Sequence, residues 1–231
     1  MGLVKKFLKK FQKPKVIEKE VPIIPKPQMK RIVIVGDGAC GKTSLIKRYL
    51  HHDFTPDNYS PTIFEVQTRN IQDEIRPIQL VICDTAGQKE YDSLRPSLYF
   101  RSDVIVVCFS MDNPNSLANI RDRWKAEICR FCDDVPIILV GTKSDLATET
   151  NNTNVERCCE KCKLVSKFGD AMAALIGAEK YIECSALTDN GVTDIFEEAL
   201  SLALAHDVKL RRKSSFKRRG SLFDTLALLV K

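Results

Sequence analysis

At 231 residues and 44% apolar side chains, the chain has room for one ordinary domain and flanking segments. No apolar run approaches the ~20 residues that a membrane-spanning helix requires, and lysines interrupt "MGLVKKFLKKF" too often for a secretory signal. The chain is therefore expected in the cytoplasm, with its nine cysteines as thiols. The net charge of +6 is uneven: residues 1–30 hold nine lysines against Glu18 and Glu20, residues 206–231 hold eight Lys/Arg against Asp207 and Asp224, and the middle is acidic. A nucleic-acid domain carries its positive charge on a folded face, so this distribution argues against a nucleic-acid partner.

In chain order, Leu3, Val4, Phe7, Leu8 and Phe11 fall at helical spacing beside four lysines, the composition of a helix lying in a membrane interface. Residues 14–29 contain Pro14, Pro22, Pro25 and Pro27 and read as a linker. Within it, "KEVPIIP" (19–25) fits a basic-x-x-P-x-x-P ligand for a Src-homology-type domain, gripped at Pro22 and Pro25; a plain linker is the other reading. The body begins at "RIVIV" (31–35), a continuous apolar run of the kind found in a buried parallel strand. Runs at 78–83, 103–110, 135–141 and 180–184 repeat it, with helical patterns at 42–51, 115–131, 166–176 and 191–206 between them. Asn113 or Asn115 is placed to cap the second helix, and Thr193 lies near the start of the last. This alternation predicts an α/β fold, a parallel sheet covered on both faces. The expected division is a basic extension over 1–29, a body over 30–206 and a basic, leucine-rich tail over 207–231.

Directly after the first strand comes "GDGACGKTS", Gly36 to Ser44, which satisfies G-x-x-x-x-G-K-[ST] in the required strand-then-helix context. Glycines at 36, 38 and 41 let the backbone of Asp37, Ala39 and Cys40 wrap phosphate oxygens with inward N–H groups, and the following helix adds its positive end. Lys42 supplies charge between the β- and γ-phosphates, and the Thr43 hydroxyl is a ligand for Mg²⁺. "DTAGQ" (84–88) puts Asp84 at a strand end, where it holds Mg²⁺ through water, brings the Gly87 amide toward the γ-phosphate, and sets Gln88 to orient an attacking water. "TKSD" (Thr142, Lys143, Ser144, Asp145) offers a carboxylate at Asp145 for the two neighbouring N–H donors of guanine, which adenine lacks. "SAL" (Ser185, Ala186, Leu187) closes the base pocket from the next strand. Four such segments in order, each at a strand terminus, specify a GTP/GDP site with Mg²⁺.

On these residues, and on "PTIFE" (61–65), "YDSLRP" (91–96), "CFSMDNPNSLANI" (108–120), Trp124 and "FCDDVPIILVGTKSDL" (131–146), the chain resembles a Rho-family small GTPase of the Ras superfamily over residues 30–206. The "TKSD" and "SAL" variants look Rac-like. The resemblance implies a P-loop NTPase three-layer fold: a mostly parallel six-stranded sheet, helices on both faces, and a Rho-type insert helix around 147–165. It implies a molecular switch that binds GTP and hydrolyses it slowly, with 54–66 and 84–97 as switch segments that contact effectors. Thr62 would then be a second Mg²⁺ ligand in the GTP state, Gln88 and Thr62 the catalytic positions, and Phe54 would lie edge-on over guanine. It also implies acceleration by GTPase-activating proteins. A GTP-loaded scaffold with little regulated hydrolysis stays open beside this reading.

Three departures from the family pattern bear on function. Lys89 stands where the family has Glu, and repels Lys42 instead of attracting it, which puts exchange-factor control in question. The interval from Phe54 to Thr62 is one residue longer than usual, and "RPSLY" (95–99) exchanges an apolar and a polar residue on the effector face. Rho proteins end in a prenylated Cys box, whereas the last cysteine here is Cys184. Both basic arms are therefore expected to hold the protein peripherally on an anionic membrane without prenylation, each lysine contributing ~1 kcal/mol near the surface. "RRKS" and "RRGS" mark Ser214 and Ser221 as basophilic-kinase sites, with an unmodified tail the alternative. Cys129 and Cys132 precede a strand whose far end leads to Cys158, Cys159 and Cys162, about 20 Å away, which argues against one zinc site.

Overall fold

The computed structural model describes residues 26–55, 61–73, 76–132, 134–148 and 156–208, with side chains from 165 in the last segment. The expected amphipathic helix at 3–11, the Pro22–Pro25 motif, the thiols of 158–162 and the tail with Ser214 and Ser221 lie outside the described residues. Six strands form one sheet in the order β2-β3-β1-β4-β5-β6. They are β1 (Gln28–Gly36), β2 (Phe64–Ile71), β3 (Ile78–Thr85), β4 (Val104–Ser110), β5 (Ile137–Thr142) and β6 (Lys180–Glu183). All neighbours are parallel except β2, which runs antiparallel to β3 at the edge.

The five apolar runs become the five parallel strands; β1, β3, β4 and β5 are buried on both faces, whereas β6 lies at the sheet edge and is only half-buried. Alternate residues of β1 separate the core into halves: Ile32 and Ile34 meet Leu45, Ile46, Ile195 and Phe196 on one side. Val33 and Val35 meet Ile120, Trp124, Ile128 and Ile176 on the other. Helix α1 (Lys42–His51) and the final helix α7 (192–208) cover the first face. The second is covered by α3 (Pro114–Asn119), a π turn (Ile120–Trp124), α4 (Lys125–Phe131) and α6 (Glu156–Ile176). Short helices α2 (Pro96–Tyr99) and α5 (Asp145–Thr148) complete the set. Asn113 caps α3, its side chain accepting from the Asn115 N–H at 3.1 Å.

Three elements differ from the sequence expectation. β2 carries no apolar run: its half-buried positions include Gln67 and Arg69, so no hydrophobic alternation announces it. It forms because the neighbouring β3 offers a free edge and pairs from Phe64↔Thr85 to Ile71↔Ile78. The helix expected over 166–176 begins at Glu156 and runs unbroken through the stretch assigned to an insert. β1 also starts earlier than expected, at Gln28. Lys30 beside that start is 1% exposed and is held by Asp103 at 3.0 Å, Asp207 at 2.8 Å and the Ala203 carbonyl at 3.0 Å. A buried ammonium survives only with such partners, and this one ties α7 to the amino end of β1.

Candidate functional site

The carboxyl ends of β1, β3, β4 and β5 and the loop after β6 open onto one cleft of about 870 Å³. At the phosphate end the chain must turn sharply out of β1, and Gly36 does so with φ +143°; a Cβ there would lie 2.1 Å from the Cys108 carbonyl oxygen. The loop closes on Lys42, whose ammonium donates to the carbonyls of Gly36 (2.8 Å) and Asp37 (2.6 Å) while the residue stays 6% exposed. A cation so buried, with no carboxylate in contact among the described residues, is poised for an anion. Gly38, Ala39, Gly41, Lys42, Thr43 and Ser44 line this end.

Thr43 Oγ1 donates to Asp84 Oδ2 at 2.5 Å and lies 2.9 Å from Thr62 Oγ1. The other Asp84 oxygen is buried and, among the described residues, has no hydrogen-bond partner. Burial pushes the Asp84 carboxyl upward, against the pull of Thr43's hydrogen bond and Lys42's charge. Two hydroxyls and a carboxylate with an unsatisfied oxygen make a hard oxygen set, which fits Mg²⁺. Thr43, Thr62 and Asp84 thus meet at one oxygen-lined corner of the cleft.

The opposite wall is fixed from outside the cleft. Arg95 is 1% exposed; it binds Glu127 (2.7 and 2.9 Å) and Asp92, and donates to the carbonyls of Ala86 (3.0 Å) and Gln88 (3.4 Å). Burial alone would lower its pKa, but Glu127 and Asp92 more than offset this and keep it charged. Arg123 donates to the Gly87 carbonyl at 3.0 Å and to Asp92 at 2.6 Å. Both guanidiniums lie against the Trp124 ring, 4.9 and 4.5 Å from its centroid. Since N–H and C=O of a trans peptide point opposite ways, pinning the Ala86 carbonyl to Arg95 turns the Gly87 N–H away from that guanidinium. Gly87 sits so close that a Cβ would lie 2.3 Å from the Gly38 nitrogen. The Gln88 side chain lines the cleft.

At the base end, Asp145 Oδ1 accepts from Ser185 Oγ at 2.5 Å, and Ser185 Oγ accepts from the Thr188 N–H at 3.2 Å. Phe54, Lys143, Asp145, Ala186 and Leu187 line this end. Lys143 reaches Asp112 at 3.1 Å.

Most expected site residues therefore converge, and some do so from behind the surface. Thr142 lines the cleft, but its hydroxyl is committed to the carbonyls of Cys40 (2.5 Å) and Phe109 (3.0 Å). Cys40 is buried with its sulfur 3.6 Å from the Cys108 carbonyl, so only its backbone can serve a ligand. Asp37 turns away and accepts from Trp124 Nε1 (2.9 Å) and Asn119 Nδ2 (2.6 Å), coupling the phosphate loop to the π turn. Sequence reasoning assigned no role to Arg95, Arg123, Glu127 or Asn119, because their partners include residues tens of positions away, Asn119 meeting Asp37 across 82. It also missed Arg48. Among the described residues no cluster of His, Cys, Asp and Glu has the makings of a metal site of the zinc kind.

A family model described as the Ras family matches residues 31–205. The chain belongs to that family. Within it, the chain is 42% identical over 189 residues to the GTP-binding protein Rho1 of Candida albicans, an alignment covering 82% of this chain and 95% of that protein. It is 40% identical over 191 residues to the GTP-binding protein rho1 of Schizosaccharomyces pombe, covering 82% and 94%. This Ras-family chain is thus a Rho-family small GTPase, and its cleft stands where a P-loop GTPase fold gathers its strand ends.

Proposed function

We propose that this Rho-family GTPase is a GTP-hydrolysing switch, working peripherally at an anionic membrane surface and signalling through effectors. The observation that carries the reading is the cleft's two-ended chemistry: a caged ammonium and an orphaned carboxylate oxygen at one end, Asp145 lining the other. Lys42 and the loop N–H groups take the β- and γ-phosphates; Asp145 takes the guanine edge, with Ala186 and Leu187 closing over it and Phe54 beside it. Mg²⁺, held by Thr43 and Thr62 with Asp84 behind, offsets charge on the phosphate oxygens when bound. Gln88 orients the attacking water, and the Gly87 N–H receives the oxygen on which charge grows.

Segments 54–66 and 84–97 present Ile63, Phe64, Val66 and Leu94, each about half exposed, as the effector face. An activating protein adds an arginine beside Gln88. Lys89 is exposed next to that residue, and its charge speaks against the usual exchange-factor contact with Lys42. Both basic arms serve the membrane, and a Src-homology-type domain is a candidate partner at Pro22–Pro25.

Single-turnover hydrolysis of GTP by the full chain, with and without a Rho-activating protein, tests the switch. Gln88→Leu is expected to keep GTP binding and stall turnover; unchanged turnover overturns the role of Gln88. Deleting 209–231 should weaken sedimentation with phosphatidylserine liposomes and spare GTP binding, whereas unchanged sedimentation would turn the tail into a protein-docking segment.

A further inference from the structure

Arg48 takes part in none of the chemistry above, yet it touches both walls of the base end. It stands in the last turn of α1, half-buried, and all three of its hydrogen bonds go to backbone carbonyls. Nε donates to Ala186 O at 2.6 Å and Nη2 to Leu187 O at 3.1 Å, so the guanidinium grips two successive carbonyls of the base loop. Nη1 donates to His52 O at 3.0 Å. His52 is the left-handed residue (φ 54°) that ends α1 and sends the chain toward Phe54, whose ring centroid lies 5.9 Å from Arg48 Cζ. No carboxylate pairs with Arg48 among the described residues, so its charge is spent on these carbonyls.

The helix that carries Arg48 begins with Lys42 and Thr43. α1 therefore holds the phosphate end with its first residues and the base end with its seventh, across roughly 10 Å of rigid backbone at 1.5 Å per residue. The base loop needs such a hold. It follows the last strand of the sheet, at the sheet's edge, and Leu187 is 51% exposed. A planar fork suits two adjacent carbonyls as a single ammonium does not, since its donors are fixed in one plane. Its position near the negative end of α1 adds a favourable field.

We propose that Arg48 is a positioning residue that latches the guanine end of the cleft, joining the base loop to the Phe54 side so that nucleotide leaves only when this latch opens. The inference rests on the cleft being the guanine-nucleotide site. It assigns Arg48 to nucleotide retention and not to hydrolysis, because the residue reaches neither Thr62, Gln88 nor the phosphate loop.

The test uses the full-length protein loaded with ribose-labelled fluorescent GDP, chased with excess GDP in Mg²⁺. Arg48→Ala is expected to raise the GDP off-rate tenfold or more, with single-turnover GTP hydrolysis within twofold of the unsubstituted protein. Arg48→Lys is expected to fall between, since it keeps charge and loses the fork. An off-rate in Arg48→Ala within twofold of the unsubstituted protein overturns the latch. So does a loss of hydrolysis in proportion to off-rate with no partial rescue by lysine, which marks a general loosening of the fold; melting in saturating GDP, measured alongside, identifies a variant that fails to fold, and Arg48→Lys then carries the decision. If the unsubstituted protein binds no labelled GDP, the nucleotide reading itself has failed, a result distinct from all of these.

Discussion

The two walls facing each other across the phosphate end are held by different forces. The wall at 86–88 is pinned through three successive carbonyls to Arg95 and Arg123, which are themselves fixed by Glu127, Asp92 and Trp124. The wall at 61–63 is held by the Thr62–Thr43 hydroxyl contact of 2.9 Å and by the Ala86 N–H donating to the Ile63 carbonyl at 3.2 Å, with β2 beginning at Phe64. A buried charge that loses its partner costs about 3–5 kcal/mol, whereas one ordinary hydrogen bond contributes about 0.5–1.5 kcal/mol. The difference shows which wall a ligand can move. Exchanging GDP for a GTP analogue should change amide exchange in the 61–63 wall far more than in the 86–88 backbone.

The comparison breaks most severely at Glu127. Glu127→Ala leaves the Arg95 guanidinium buried and short of a partner, and urea unfolding should show a loss of about 3–5 kcal/mol; a loss under 1 kcal/mol would show that the ionic frame does not hold this wall. Gly87→Ala comes next. Its Cβ would meet phosphate-loop backbone at 2.3 Å, so the walls must part, at a cost of about 1–3 kcal/mol for overpacking. Titration should show GTP affinity falling more than GDP affinity.

On the weaker wall, Thr62→Ala should cost no more than about 1 kcal/mol of stability, yet slow GTP hydrolysis clearly, because it removes the proposed Mg²⁺ ligand. Equal melting temperatures with unequal turnover would sharpen the contrast. The smallest effect belongs to Asp92. Partial desolvation pushes its carboxyl up, but hydrogen bonds from Arg95 and Arg123 prevail and hold it below the ordinary 3.8. A carboxylate lowered on folding contributes stability above its unfolded value and loses it as pH falls through the folded one. The gap between the unsubstituted protein and Asp92→Asn should therefore be full at neutral pH and close below about pH 4, read by urea midpoints; a gap independent of pH would remove Asp92 from the frame.

The five parallel strands and the phosphate loop were legible in the sequence because their physics is local. A strand buried on both faces must be apolar throughout, as "RIVIV" is, and a loop that wraps phosphate must place Gly36, Gly38, Gly41, Lys42 and Thr43 at set intervals. Asp145 was legible for the same reason, standing three residues past the end of β5. β2 was not: an edge strand whose half-buried positions are polar forms by borrowing the edge of β3. The unbroken α6 was hidden too, because nothing in its sequence marks where an insert ends and the next helix begins.

What only the tertiary structure decided is how the site is held. Asp37 reads as part of the phosphate loop, but its carboxylate turns to Trp124 and Asn119, 87 and 82 positions on. Arg95 meets Glu127 across 32 residues, and Arg48 meets Ala186 across 138. By itself, then, the sequence determined which residues converge on the cleft, since each of these short motifs stands just beyond a strand end. Which arginines clamp those groups depends on where helices and loops come to rest over the sheet, and no local spacing encodes that.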